Sequence, residues 1–171
     1  MRKLQGSPTV SIVIPAHNRK DILIRTLQAY ASQSAKQHIF EILVIDDGST
    51  DGTSESVQSY AAGSPIPIRY FYQHNHGATK ARNLGIAQAQ GNLILFGHDD
   101  VIPGEGYLSQ HVSWHQKYPD PHVAILGYVD WPPKCTQRHL CDGWAKPGRS
   151  LAMPTWSLDE MRTSATFTPA M

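Results

Sequence analysis

Three nearly unbroken apolar runs constrain this chain more than any other feature: Val10-Ser11-Ile12-Val13-Ile14, Phe40-Glu41-Ile42-Leu43-Val44-Ile45 and Asn92-Leu93-Ile94-Leu95-Phe96. Their apolar character is continuous rather than alternating, the pattern of strands covered on both faces. Between them lie segments with helical spacing. Leu23, Leu27 and Tyr30 recur as one face after the first run, and Asn18 is placed to cap that helix, with Asp21 three residues on. A second helix is expected from about Thr53 to Ala62, and a third, carrying Ala78, Ala81, Leu84 and Ala87, from Gly77 to Gln90. Ile66 to Tyr72 reads as a further strand whose Pro65 and Pro67 suit a sheet edge. Pro103 introduces a fourth helix with Leu108, Val112 and His115 on one face, and Val123 to Val129 is expected to be the last strand. This alternation predicts an α/β domain, a mainly parallel sheet with helices on both faces.

Composition narrows the function classes. At 171 residues with 40% hydrophobic content the chain suits one folded core and is too apolar for disorder. Fifteen Lys and Arg against fourteen Asp and Glu leave a formal charge of +1, so no field recruits nucleic acid. Met1-Arg2-Lys3 resembles the start of a signal peptide, but Leu4 to Pro8 is polar and the apolar run that follows is too short. No run approaches the roughly 20 apolar residues that span a bilayer, which limits membrane contact to peripheral association. Two cysteines, Cys135 and Cys141, make no disulfide framework and fit a cytoplasmic setting, at the inner face of the membrane included. Residues 1–8 are expected to be a flexible N-terminal segment and 9–133 the α/β domain. Periodicity fades over 134–171.

In an open parallel sheet, ligands bind beyond the carboxyl ends of the strands. The first run ends in Pro15-Ala16-His17-Asn18, the second in Asp46-Asp47, and the third in His98-Asp99-Asp100. Two acidic pairs at adjacent strand ends are costly unless a cation or a sugar hydroxyl separates them. Because strand residues alternate in direction, one carboxylate of each pair is expected to face the ligand. Asp51, in the turn-rich run Asp46 to Gly52, is expected to cap the next helix. A hard divalent ion, Mg or Mn, bridging a diphosphate suits such carboxylates.

Four segments in order, Ser11-Ile12-Val13-Ile14-Pro15-Ala16-His17-Asn18-Arg19, Ile45-Asp46-Asp47-Gly48-Ser49-Thr50-Asp51-Gly52-Thr53, Gly77 with Ala81-Arg82-Asn83-Leu84-Gly85-Ile86, and Phe96-Gly97-His98-Asp99-Asp100-Val101-Ile102-Pro103, resemble the family 2 glycosyltransferases. Leu126 to Trp131 resembles the strand beyond them in one branch of that family. The resemblance implies a GT-A type, Rossmann-like fold and metal-assisted, inverting transfer of a sugar from a nucleotide-diphosphate donor to an acceptor hydroxyl. It implies that 9–133 is the nucleotide-sugar-binding domain and 134–171 the irregular start of an incomplete acceptor-binding half. By position, Pro15, His17 and Asn18 would line the base and ribose pocket, Asp47 would hold the base or ribose, and Arg82 would sit near the diphosphate. Asp99 would lie near the donor's sugar or ribose, and Asp100 would hold the metal.

The chain departs from the family at two places. His98 stands where the first Asp of the Asp-x-Asp signature falls, as an alternative contact for metal or phosphate, although nitrogen suits Mg²⁺ poorly. The family's Glu-Asp general base has no match up to Met171, and Asp159-Glu160 has the reverse order. Such a base is typically worth about 10²–10⁴-fold in rate. The expectation is a chain that holds a donor and transfers sugar poorly unless a longer form supplies the acceptor half. The acceptor, whether glycan, lipid or small molecule, stays open. A non-catalytic nucleotide-sugar-binding module is the rival reading. A nucleotidyltransferase and a dinucleotide-binding dehydrogenase are disfavoured, because no glycine-rich phosphate loop follows the first run.

His111 and His115 have the spacing of a two-histidine metal site but lack an acidic partner motif, and read as packing or surface residues. Cys135, His139 and Cys141 fall short of the four ligands of structural zinc. Trp114, Trp131, Trp144 and Trp156 read as core or groove-edge aromatics.

Overall fold

A computed structural model describes residues 9–33 and 40–129. The chain divides into two compact units, Met1–Val129 and Asp130–Met171, and every described residue belongs to the first. The expectations for residues 1–8, for both cysteines, for Trp131, Trp144 and Trp156, and for the acceptor half therefore lie outside the described residues.

Strands and helices alternate: β1 (Val10–Ala16), α1 (Lys20–Ala31), β2 (Phe40–Asp47), α2 (Thr53–Gly63), β3 (Ile68–Gln73), α3 (Ala78–Gln88), β4 (Leu93–Phe96) and α4 (Tyr107–Lys117). The four strands form one parallel sheet in the order β3-β2-β1-β4. β1 and β2 lie at its centre, as their continuous apolar runs require. β3 begins just after Pro67 and is an edge strand, so the two prolines interrupt no ladder.

The two-residue period of the strands divides the core. Val10, Ile12 and Ile14 of β1 and Phe40, Ile42 and Val44 of β2 pack with Leu23, Leu27, Val57, Leu108 and Val112 of α1, α2 and α4. Val13, Leu43 and Ile45 face the other way, onto Ala81 and Leu84 of α3. Right-handed crossovers explain the division. The connections through α1 and α2 advance in one direction along the sheet, whereas the connection through α3 returns past both central strands to β4.

At the amino ends of the strands, Glu41 is fully buried with 2% exposure. Its Oε1 accepts from Ser11 Oγ at 2.7 Å and from the Gln90 N–H at 2.8 Å, and its Oε2 accepts from Arg69 Nη1 at 3.1 Å. Arg69 also donates to the Gln88 carbonyl at 2.8 Å. One carboxylate thus ties β1, β2, β3 and the α3–β4 connection together at the end of the sheet away from the acidic strand ends.

Two local expectations are corrected. Val123 to Val129 is not a strand. Leu126, Tyr128 and Val129 are exposed, and β propensity supplies no ladder where no described strand runs alongside. Asn18 does not cap α1; Arg19 holds the N-cap position, and the Asn18 side chain turns toward Thr50 instead. The first-turn N–H of Lys20 is satisfied by Asp51 Oδ2 at 3.0 Å, while Asp51 Oδ1 accepts from the Thr53 N–H at 3.1 Å. Asp51 therefore bonds the first N–H of α2 from the position before its N-cap, Gly52, and serves α1 as well.

Cutting the Glu41 carboxylate away leaves Arg69 and the Gln90 N–H without their partner. Glu41→Ala is expected to cost about 3–5 kcal/mol of stability, measured by urea unfolding. A pH effect arises at α4, where His111 packs edge-on against Tyr107 with ring centroids 4.6 Å apart and is buried. Burial, aided by the charge of His115, holds the His111 pKa below its ordinary value. The unfolded chain accepts the proton that folded His111 resists, so stability is full above about pH 6.5 and falls as the pH drops. In His111→Gln, the loss of thermal midpoint between about pH 7.5 and about pH 5.5 is expected to be smaller than in the wild type.

Candidate functional site

The order β3-β2-β1-β4 places a switch in direction at β1, and a crevice opens beyond the carboxyl ends of the strands there. A cleft of about 300 Å³ occupies it, lined by Pro15 and Ala16 at the end of β1, His17 and Arg19 after it, Asp47 at the end of β2, Asn75, Ala78 and Arg82 around the start of α3, and His98 and Asp99 after β4. Six of the eight residues singled out from the sequence share this wall: Pro15, His17, Asp47, Arg82, His98 and Asp99. Asn18 and Asp100 lie just outside the lining and bond to residues that line it, Asn18 to His17 and Asp100 to Arg19. The two acidic pairs are not at adjacent strand ends, because β1 runs between β2 and β4.

Register separates Asp46 from Asp47. Asp46 faces the α1 and α2 side, where Oδ1 accepts the Ser49 N–H at 2.8 Å and Oδ2 the Tyr70 hydroxyl at 2.5 Å. Burial, with that bond to Asp46 adding to it, pushes the Tyr70 phenol up to about 12. Asp47 faces α3 and the cleft. Its Oδ1 accepts from Gln73 Nε2 at 2.7 Å and from the His76 N–H at 2.8 Å, and its Oδ2 from the Gly77 N–H at 2.8 Å. Burial pushes the Asp47 pKa upward, but these three bonds, with His17 nearby, outweigh it and hold the carboxyl below the ordinary value. A carboxylate of β2 thereby caps α3, whose own N-cap, Gly77, carries no side chain.

His17 Nδ1 lies 2.8 Å from the Asp47 carbonyl, to which it can only donate, and its Nε2 lies 3.1 Å from Asn18 Nδ2 and accepts from it. The ring is fixed at both nitrogens. Asn18 itself has a left-handed backbone, φ 51°, a conformation Asn tolerates better than most residues. Its Oδ1 accepts the Thr50 N–H at 2.7 Å and its N–H donates to Ser49 Oγ at 2.9 Å, clamping the loops after β1 and β2 together. Gly48, at φ 82°, allows the loop before α3 to close on them, since a Cβ there would lie 2.9 Å from the Asn75 nitrogen.

After β4 the chain passes β1 and α1 so closely that a Cβ on Gly97 would lie 2.9 Å from Ile14 Cγ1 and 3.0 Å from the Tyr30 hydroxyl oxygen. That approach delivers His98, Asp99 and Asp100 to the rim. Thr26 Oγ1 donates to the Asp99 carbonyl at 3.1 Å. Arg19 Nη1 lies 3.3 Å from Asp99 Oδ1 and 2.5 Å from Asp100 Oδ2. Burial raises the Asp99 pKa, and Asp100 adds to the rise against the opposing pull of Arg19. Arg82 reaches the same cleft without a salt bridge among the described residues.

Two oxygens from neighbouring carboxylates converge on one nitrogen, so the pair can also converge on one hard cation. Among the described residues no group of three or more His, Cys, Asp or Glu forms a metal cage. A Mg²⁺ or Mn²⁺ ion fits this pair only with its remaining positions filled by ligand oxygens and water. His111 is buried and packs against Tyr107, as expected of a packing residue.

Reading strand ends found most of the wall but missed Arg19, Asn75 and Ala78. Arg19 carried a signal, being the one cation in the segment after β1. Asn75 carried none, since only the closure of the loop on Gly48 brings it in.

The profile of the family described as glycosyl transferase family 2 matches residues 11–169. The chain belongs to glycosyl transferase family 2. A validoxylamine A glucosyltransferase from Streptomyces hygroscopicus subsp. limoneus is 37% identical over 122 residues, which cover 70% of this chain and 26% of that protein. The poly(ribitol-phosphate) beta-N-acetylglucosaminyltransferase TarS of Staphylococcus aureus strain Mu50 is 30% identical over 110 residues, covering 60% of this chain and 19% of TarS. The chain thus spans about a quarter or less of these relatives' length. Among solved structures, the mannosyltransferase PcManGT from Pyrobaculum calidifontis, in complex with GDP-Man and Mn²⁺, aligns with a TM-score of 0.65 at 24% identity, over 76% of this chain and 38% of that one. The fold of this family 2 chain is the mainly parallel, Rossmann-like GT-A type expected from its sequence. Among the described residues no helix is long and apolar enough to cross a membrane.

An amide in place of the Asp47 carboxylate would oppose N–H to N–H at Gln73, His76 or Gly77. Asp47→Asn is expected to cost about 1–3 kcal/mol, measured by thermal or urea unfolding. The folded pKa lies below the unfolded one, so the carboxylate's contribution is present above about pH 4 and is lost as the pH falls through the folded value. The Asn variant is expected to lack this component of the acid limb.

Proposed function

We propose that the switch-point cleft holds a nucleoside-diphosphate sugar and that the chain is the donor-binding part of a glycosyltransferase, passing the sugar to an acceptor hydroxyl. The observation that carries this reading is the meeting, in and at the rim of one cleft, of Arg82, which has no salt bridge among the described residues, with two carboxylates that converge on a single cationic point. A diphosphate with a divalent ion needs both: a guanidinium for its oxygens and carboxylates for its metal. Solved relatives of the same fold hold GDP-Man with Mn²⁺ and UDP-GlcNAc, each a sugar on a nucleoside diphosphate.

In this reading Pro15 and the fixed ring of His17 offer a flat wall for the base, while Asn18 and Asp47 hold the loops that shape the base and ribose pocket. Arg82 pairs with the diphosphate, and Asp99 lies toward the ribose or sugar. Asp100, with His98 beside it, holds the Mg²⁺ or Mn²⁺, and Asp99 Oδ1 is the second carboxylate oxygen turned to that ion. When bound, that ion neutralises charge developing on the leaving diphosphate. Family membership supports inversion of the anomeric centre, with the acceptor and its base contributed outside the described residues. The setting is cytoplasmic, with peripheral contact at the inner face of the membrane where the acceptor is a lipid.

Calorimetric titration with UDP, GDP and dTDP, with and without Mn²⁺, tests this reading. One nucleotide is expected to bind in a Mn²⁺-dependent manner, and Asp100→Ala to abolish that dependence. Arg82→Ala is expected to weaken the diphosphate by about 1.5–3 kcal/mol, or about 10- to 150-fold, while leaving the matching nucleoside unaffected. Absence of binding by all three nucleotides overturns the assignment.

A further inference from the structure

Arg19 has a role that the donor reading does not assign. Its guanidinium, on a side chain 53% exposed, spans the two carboxylates that would hold the metal, one nitrogen meeting both Asp99 Oδ1 and Asp100 Oδ2. The backbone on each side is fixed. The Arg19 carbonyl accepts the Leu23 N–H at 3.0 Å in the first turn of α1, and the Asp99 carbonyl is held by Thr26. Only the guanidinium, at the end of its flexible stem, is free to move, and Arg19 already lines the cleft.

We propose that Arg19 occupies the place of the divalent cation while the cleft is empty, and leaves it for the diphosphate when metal and nucleotide arrive together. The proposal rests on the donor reading and goes beyond it by setting an order of binding. Adjacent carboxylates repel, and a cation between them relieves that repulsion. A metal bound at about 2.0–2.1 Å from carboxylate oxygens cannot share them with a guanidinium nitrogen already in contact with both. A metal arriving alone must therefore displace Arg19 into water with no anion to receive it. A metal arriving with a diphosphate brings that anion, and the planar guanidinium pairs well with phosphate oxygens. Arg19 thus couples the two ligands, and by linkage each raises the affinity of the other by the same factor.

Direct Mn²⁺ binding to the full chain, read from the loss of the free-ion electron paramagnetic resonance signal, tests this without any turnover. In the wild type, Mn²⁺ alone is expected to bind weakly and to tighten strongly with UDP or GDP. Arg19→Gln is expected to bind Mn²⁺ alone about tenfold more tightly and to lose a similar factor of nucleotide coupling. Arg19→Lys, which keeps the charge, is expected to stay closer to the wild type. Equal or weaker binding of Mn²⁺ alone by Arg19→Gln overturns the proposal, while nucleotide binding to the wild type would leave the donor reading standing. If no nucleoside diphosphate binds the wild type under any condition, both fail. Should Arg19→Gln not fold, the wild type still decides. Its Arg19 Nε–H resonance, assigned through Arg19→Lys, is expected to stay in place with Mg²⁺ alone and to shift with Mg²⁺ plus nucleotide, and an equal shift with Mg²⁺ alone overturns the order.

Discussion

The parallel pairing of β1 with β2, from Val10 opposite Phe40 to Ala16 opposite Asp46, underlies everything else in the described structure. Both strands are buried on both faces, so neither can slip by one residue without exchanging its two apolar sets between dissimilar helix layers. That fixed register sets the loop after Ala16 beside the loop after Asp47. The two loops clamp each other through Asn18, Ser49 and Thr50, and Asp51 anchors the starts of both following helices. A site built on strand ends inherits the rigidity of the strands. The cleft is placed by the most strongly determined part of the fold.

The two ends of the sheet use carboxylates in different ways. At the amino ends Glu41 is surrounded by donors and ties strands to one another. At the carboxyl ends Asp47 is likewise satisfied by its neighbours, but Asp99 and Asp100 share a single exposed arginine. The difference separates structure from chemistry. A fully bonded carboxylate has little left for a ligand, whereas a pair bridged by an exposed cation can exchange that cation for another.

The fold was legible because its evidence is local. Continuous apolar runs located three of the four described strands, the segment Ile66 to Tyr72 gave the edge strand, and helical spacing located the four described helices, to within a few residues at their ends. The failures share a cause. Val123 to Val129 has the composition of a strand, but a strand requires a neighbour, which composition does not encode. Asn18 has the chemistry of a cap, yet a left-handed backbone and the arrival of Thr50 from another loop redirect its side chain.

For the site, the sequence by itself determined which residues stand at strand ends, and hence that His17, Asp47, His98 and Asp99 would share a crevice. Chain direction and periodicity suffice for that. Only the tertiary structure decided that β1 runs between the two acidic strand ends, that Asp47 caps α3 from a different strand, and that Arg19 answers Asp99 and Asp100 from eighty residues away. These are contacts between segments distant in the chain. Their partners are chosen by which loops the sheet order and the crossovers bring together, and no local pattern records that choice.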